Sequence, residues 1–139
     1  QDPGNVGTLI RTANALGMDA VILAGSCADR SSPRAVRASM GAAFRQYVTE
    51  CSVAELPGVL ERLGLELYGA ALSDTARDLR TADLSRAAVA IGNEGHGLSE
   101  ELLAMCAGTL IIPMRPGSES LNAAAAGAVI MWELARSVL

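Results

Sequence analysis

Residues 87–99 read Ala-Ala-Val-Ala-Ile-Gly-Asn-Glu-Gly-His-Gly-Leu-Ser, an unbroken apolar run that passes straight into a loop carrying Gly92, Gly95 and Gly97. A run of this length without polar alternation reads as a strand covered on both faces, the pattern of a parallel sheet. Ser99 then caps a short helix, with Glu100 and Glu101 placed favourably in its first turn. A second strand, Thr109 to Pro113, ends in the same way: Arg115-Pro116-Gly117-Ser118-Glu119-Ser120 forms a loop, and Leu121 to about Val138 forms a long helix.

Upstream the same alternation continues. Asn5 is a candidate N-cap for a helix whose apolar positions are Val6, Leu9, Ile10, Ala13 and Leu16, with Gly17 as the stop. Ala20 to Ala24 is a short strand closed by Gly25, and Ser32-Pro33 opens a helical stretch carrying Arg34, Arg37 and Arg45. A weaker strand covers Gln46 to Thr49. Ser52 with Glu55 makes a capping box for a helix ending near Gly64, and Leu65 to Leu72 is the next strand. Ser73 to Arg86 reads as a polar surface connection. Strands alternating with helices give an α/β class, in which ligands sit at the carboxyl ends of the strands. Both glycine-bearing loops, 92–97 and 115–120, emerge there.

With 139 residues, half of them hydrophobic, the chain is long enough for one core and too short for two. Eleven Arg, no Lys and fifteen acidic residues give a net charge of -4, so bulk charge does not attract nucleic acid and any affinity for it must be local. Cys27, Cys51 and Cys106 are odd in number and widely spaced, which suits free thiols in a reducing compartment. His96 is the only His; it excludes a His-rich metal site and would have to carry a hydrolase triad alone. The apolar run Ala123 to Trp132 is about half a bilayer span. A soluble, cytoplasmic protein without metal or membrane partner is expected. The chain starts at Gln1 rather than Met, in a turn-like Asp2-Pro3-Gly4-Asn5 stretch, and is expected to continue upstream.

Three segments are able to carry chemistry. In Asn5-Val6-Gly7-Thr8-Leu9-Ile10-Arg11, the residues Asn5, Thr8 and Arg11 progress around one polar side of the helix; a cap plus a surface Arg is the plainer reading. In Gly92-Asn93-Glu94-Gly95 the glycines permit close approach to a ligand and Glu94 brings charge to a strand end, although a tight turn alone also accounts for them. The segment is neither GxGxxG nor a P-loop, which disfavours a dinucleotide-binding dehydrogenase. In the third, Ile112-Pro113-Met114 precedes Ser120-Leu121-Asn122, where Ser120 as helix cap and Asn122 as a first-turn residue is the structural alternative.

Together these segments resemble, in order and spacing, the three motifs of the SpoU or TrmH-like branch of the SPOUT RNA methyltransferases: Asn5-x-Gly7-x-x-x-Arg11, Ile91-Gly92-Asn93-Glu94-Gly95-x-Gly97-Leu98, and Ile112-Pro113-Met114 with Ser120-Leu121-Asn122. The likeness covers nearly the whole chain. It implies S-adenosylmethionine-dependent 2′-O-ribose methylation of ribosomal or transfer RNA, and a parallel-sheet fold with a C-terminal deep trefoil knot that periodicity alone would never suggest. It further implies cofactor binding largely by backbone at Gly92, Ile112 and Leu121, a polar catalytic set of Asn5, Arg11, Glu94, Ser120 and Asn122, structured RNA as partner, and a homodimer through the C-terminal helix.

Two departures stand out. Ala123 to Ala126 stand where Val and Ser are usual after Ser-Leu-Asn, which bears on helix packing more than on chemistry. The strand expected before the first motif is absent, as is the upstream RNA-binding domain of many relatives, so residues 1–139 read as an N-terminally truncated catalytic domain. Arg11 is expected to act as an electrostatic stabiliser, because guanidinium stays protonated in proteins, with Glu94 orienting it. The rival reading is a noncatalytic RNA-binding or assembly module that keeps the fold.

Overall fold

The computed structural model describes residues 2–136 and 138–139. Two parallel strands, β1 (Val21–Ala24) and β2 (Val48–Cys51), form one ladder, in which Val21 lies opposite Val48. Four more, β3 (Glu66–Ala70), β4 (Arg77–Asp78), β5 (Ala87–Ile91) and β6 (Gly108–Ile111), form a second sheet in the order β4-β6-β3-β5, again all parallel. The helices are α1 (Pro3–Ala15), α2 (Pro33–Ser39), α3 (Leu56–Leu63), α4 (Glu100–Met105) and α5 (Ala123–Ala135). Two 3₁₀ turns, Ala42–Phe44 and Leu79–Thr81, complete the chain.

The strands are covered on both faces, and their two-residue period shows how. Ala87, Val89 and Ile91 of β5 meet Ile130 and Leu134 of α5, whereas Ala88 and Ala90 join Leu56 and Leu60 of α3 and Leu102 and Met105 of α4. β1 divides likewise: Val21 and Leu23 pack with Val6 and Ile10 of α1, and Ile22 and Ala24 turn to the α3 and α4 side. Side chains one residue apart point to opposite faces, so a continuous apolar run is what a two-sided layer requires.

Several expectations need correction. Asp2, not Asn5, caps α1: its carboxylate accepts from the Gly4 amide at 2.8 Å, and Pro3 stands first in the helix, where a missing N–H costs nothing. Asn5 therefore lies in the first turn of the helix, its side chain released from the capping role. The connection 73–86 is more than a surface loop. Arg77 and Asp78 pair with the edge of β6, and Leu79 is 3% exposed among Tyr68, Leu110 and Ile130. Two paired residues and one buried Leu leave no periodic signature, which is why a polar composition hides them. β2 runs two residues later than expected. Gln46 instead donates its side-chain amide to the Met18 carbonyl at 3.0 Å, tying the turn ahead of the strand to the end of α1. α5 starts at Ala123 with Asn122 as its cap and ends at Ala135; residue 137, inside the expected helix, lies outside the described residues. Trp132, at the end of the apolar run where burial is the expectation, is 54% exposed.

Helices α1, α2 and α5 meet through two glycines. A methyl group at Gly7 would run into the Ala35 carbonyl oxygen and the Ala38 side chain, so α1 and α2 touch at the level of the backbone. At Gly127 of α5 the obstacles are the ends of the Leu9 and Ile91 side chains. Helix propensity alone favours Ala over Gly by about 1 kcal/mol at either position. Gly7→Ala is nevertheless expected to lose about 1–3 kcal/mol, because a carbonyl cannot swing aside. Gly127→Ala is expected to lose less, since side-chain ends can rotate. Urea midpoints at constant m-value check the order of the two.

Candidate functional site

The site assembles at the carboxyl end of β5. Beyond Ile91 the chain folds tightly on itself: a methyl at Gly92 would strike the backbone of Gly97 and Leu98, and Gly97 has a left-handed φ of +63°. Asn93 organises the turn. Its Oδ1 accepts from the Gly95 amide at 3.0 Å and the His96 amide at 2.8 Å, and its carbonyl accepts from the Gly97 amide at 2.9 Å. Sequence reading gave Asn93 no role, although an Asn two residues before a Gly is the mark of such an Asx turn.

This turn presents Glu94 to two helix starts at once. Glu94 Oε1 accepts from Asn122 Nδ2 at 2.7 Å, from Asn5 Nδ2 at 3.1 Å and from the Ala123 amide at 3.4 Å. Asn122 Nδ2 also donates to Asn5 Oδ1 at 3.3 Å. Asn122 Oδ1 meanwhile accepts from the amides of Ala124 and Ala125 at 2.9 and 3.1 Å, so one side chain caps α5 and closes the contact. A carboxylate at the amino end of α5 also faces the positive end of the helix dipole.

Three of the five expected polar residues, Asn5, Glu94 and Asn122, are thus in mutual contact. Arg11 is exposed, two turns into α1 on its solvent side, and has no ion pair among the described residues; the Glu94 oxygen engages the two asparagines instead. Ser120 is exposed in the second loop, without a side-chain hydrogen bond among the described residues.

The positions expected to hold a cofactor lie at or beside these two loops. Gly92 follows β5, Ile112 follows β6 and packs beside the core of Tyr68 and Leu110, and Leu121 precedes α5 at 41% exposure. From Pro113 to Leu121 the only internal bond of the backbone among the described residues is Ser118 N–H to the Arg115 carbonyl, at 3.1 Å. The remaining amides and carbonyls of this exposed segment are free, the donor and acceptor set required by a ligand held through backbone. S-Adenosylmethionine, with its adenine edge, ribose hydroxyls and amino-acid end, fits such a set. Among the described residues no group of three His, Cys, Asp or Glu side chains is placed to hold a metal ion.

Residues 1–132 match the model of the SpoU rRNA methylase family. The chain belongs to this family. It is 36% identical over 134 residues to a 23S rRNA guanosine 2′-O-methyltransferase of Bacillus subtilis, covering 96% of this chain and 54% of that protein. It is 33% identical over 137 residues to a tRNA guanosine 2′-O-methyltransferase of Escherichia coli, covering 96% of this chain and 58% of that protein. An AdoMet-bound rRNA methyltransferase from Sinorhizobium meliloti superimposes with a TM-score of 0.93 at 34% identity, over 99% of this chain and 53% of that one. The SpoU-family chain described here therefore spans about half the length of the curated relatives it matches.

The contact yields a graded expectation. Glu94→Gln keeps an oxygen acceptor and should retain most stability, whereas Glu94→Ala leaves two asparagine amides unpaired. Asn122→Ala also strips the α5 cap and should lose about 1–2 kcal/mol, more than Asn5→Ala. Guanidinium denaturation of the four variants checks this order.

Proposed function

We propose that this chain is the catalytic part of an enzyme that uses S-adenosylmethionine to methylate a ribose 2′-hydroxyl in ribosomal or transfer RNA. The observation that carries the reading is the joining of Asn5, Glu94 and Asn122, one residue from each of three motifs, at the strand ends beside a loop with free backbone groups. The names of the Bacillus and Escherichia relatives and the AdoMet-bound Sinorhizobium structure support it. The intact polar contact argues against the alternative of a noncatalytic module.

When bound, S-adenosylmethionine supplies a methyl group on a positively charged sulfur. The protein must then align a ribose oxygen with that methyl and stabilise the charge the oxygen develops as its proton leaves. Gly92, Ile112 and Leu121 hold the cofactor through backbone groups. Glu94, fixed by two asparagines, keeps the two loops in register, and Ser120 and Asn122 position ribose or cofactor. Arg11 remains protonated, so it holds the target phosphate and lowers the energy of the nascent alkoxide rather than removing the proton.

The same reading extends to the whole protein. Residues 1–139 form the catalytic domain without its first strand. Among the described residues β1 pairs only with β2 and β5 only with β3, yet both feed one apolar cluster, so a strand preceding residue 1 fits between them. An RNA-binding domain precedes that strand, the C-terminal half is knotted, and the protein works in the cytoplasm. Val129 and Trp132, 41% and 54% exposed on α5, form the apolar face of a homodimer.

Transfer of tritiated methyl from S-adenosylmethionine to cellular RNA by the full-length enzyme tests the activity. Arg11→Ala should lower turnover at least tenfold with cofactor affinity, measured by calorimetry, nearly unchanged; equal losses would reassign Arg11 to cofactor binding. Light scattering should give a dimer mass, and Trp132→Asp should shift it toward the monomer.

A further inference from the structure

Four of the eleven arginines and none of the fifteen acidic residues fall within residues 30–49, in a chain whose net charge is -4. Two of the arginines are already engaged: Arg30 pairs with Glu50 at 3.3 Å and Arg34 with Asp2 at 3.6 Å. Arg37 and Arg45 are exposed and have no ionic partner among the described residues. The same stretch holds two of the four aromatic residues, and both stand out in solvent: Phe44 is 82% exposed and Tyr47 67%. Met40, 66% exposed, lies between them and Arg37.

These side chains are held out by a built turn. Met40 and Gly41 are both left-handed, with φ of 51° and 86°, and reverse the chain after α2. Ser39, fully buried, donates its hydroxyl to the Val36 carbonyl at 2.7 Å and accepts from the Ala43 amide at 3.3 Å, which ties the 3₁₀ turn back to the helix. Ala42 is anchored in the core with Val6 and Ile10, and Gln46 is fixed to the Met18 carbonyl. Phe44 and Tyr47 thus flank anchored residues on a rigid support. α2 is seven residues long, about 10 Å, and its first turn lies against Gly4 and Asp2 at the start of α1. Arg11 sits one turn after Gly7, the glycine on which α2 packs.

We propose that Arg37, Met40, Phe44, Arg45 and Tyr47 form a docking surface for unpaired ribonucleotides next to the site. Phe44 and Tyr47 stack on bases, which is possible only where bases are splayed from a helix, and Arg37 and Arg45 meet phosphates. The occupant is a polyanion with planar groups, because a stretch that presents two arginines without ionic partners among the described residues and two exposed aromatics is complementary to both features. The inference rests on the methyl-transfer reading for its substrate but uses none of the residues placed in that site.

The test uses the full-length protein, a fluorescein-labelled twelve-nucleotide single-stranded RNA of mixed sequence, and a fully paired RNA hairpin, at one salt concentration. Phe44→Ala/Tyr47→Ala should weaken single-strand binding about tenfold or more and hairpin binding far less, with melting temperature and S-adenosylmethionine affinity unchanged. Phe44→Trp/Tyr47→Phe should restore binding. Arg37→Ala/Arg45→Ala should weaken both RNAs and reduce the slope of log affinity against log salt by about 2. Unchanged RNA affinity in the aromatic variant overturns the proposal, as does a change in oligomeric mass with RNA binding intact, which would make the patch a protein contact. If the wild type methylates no RNA while the variants still lose RNA affinity, the docking surface stands and the methyl-transfer reading falls. If methylation proceeds with unchanged KM in both double variants, the reverse holds.

Discussion

A single carboxylate oxygen holds the functional end of this molecule together. Glu94 Oε1 accepts from the side chains of Asn5 and Asn122 and from the backbone of Ala123, so the start of α1, the loop after β5 and the start of α5 share one acceptor. Each of those segments is separate on its own: a helix start, a glycine turn, and a loop with a single internal backbone bond among the described residues. Their common partner makes them one surface. A charged acceptor serves this better than a neutral one, because bonds to an ionised oxygen are stronger and the amino end of a helix favours negative charge.

The packing beneath is arranged to let those segments meet. Gly7 and Gly127 remove side chains where α1 contacts α2 and α5, and the Ala run of α5 lets that helix settle over β5 with little bulk. Small residues are usually read as weak core formers. Here they set the distance between helices, and the larger residues Ile10, Ile130 and Met131 fill what remains.

Much of this was legible in the chain. The unbroken run Ala87 to Ile91 announced a strand covered on both sides, Ser99 and Ser32 announced helix starts, and the glycine loop announced a tight turn at a strand end. The helix boundaries were less legible, since Asp2 and Asn5 are equally good caps by type, and only the neighbouring Pro3 and a partner 89 positions away decide which one caps. The same holds for Ser120 and Asn122. Leu79 and the two-residue β4 could not be read at all, because a single buried side chain in a polar stretch has no period. Trp132 stands out of α5 because burial depends on which side of that helix meets the sheet, and a helix apolar nearly all round has no polar face to mark the other side.

The split between the two ladders has a bearing on how the chain behaves in solution. Among the described residues β1 and β5 each have one strand partner, and each therefore turns a row of amides and carbonyls toward the other side of the layer. Both strands are apolar on both faces and lack Lys or Pro, the residues with which exposed edges are usually blunted. Such edges recruit any extended segment that reaches them, from the same polypeptide or from a neighbour. In residues 1–139 taken alone these two edges favour strand exchange, which a net charge of -4 opposes only weakly, and a strand seated between β1 and β5 removes both edges at once.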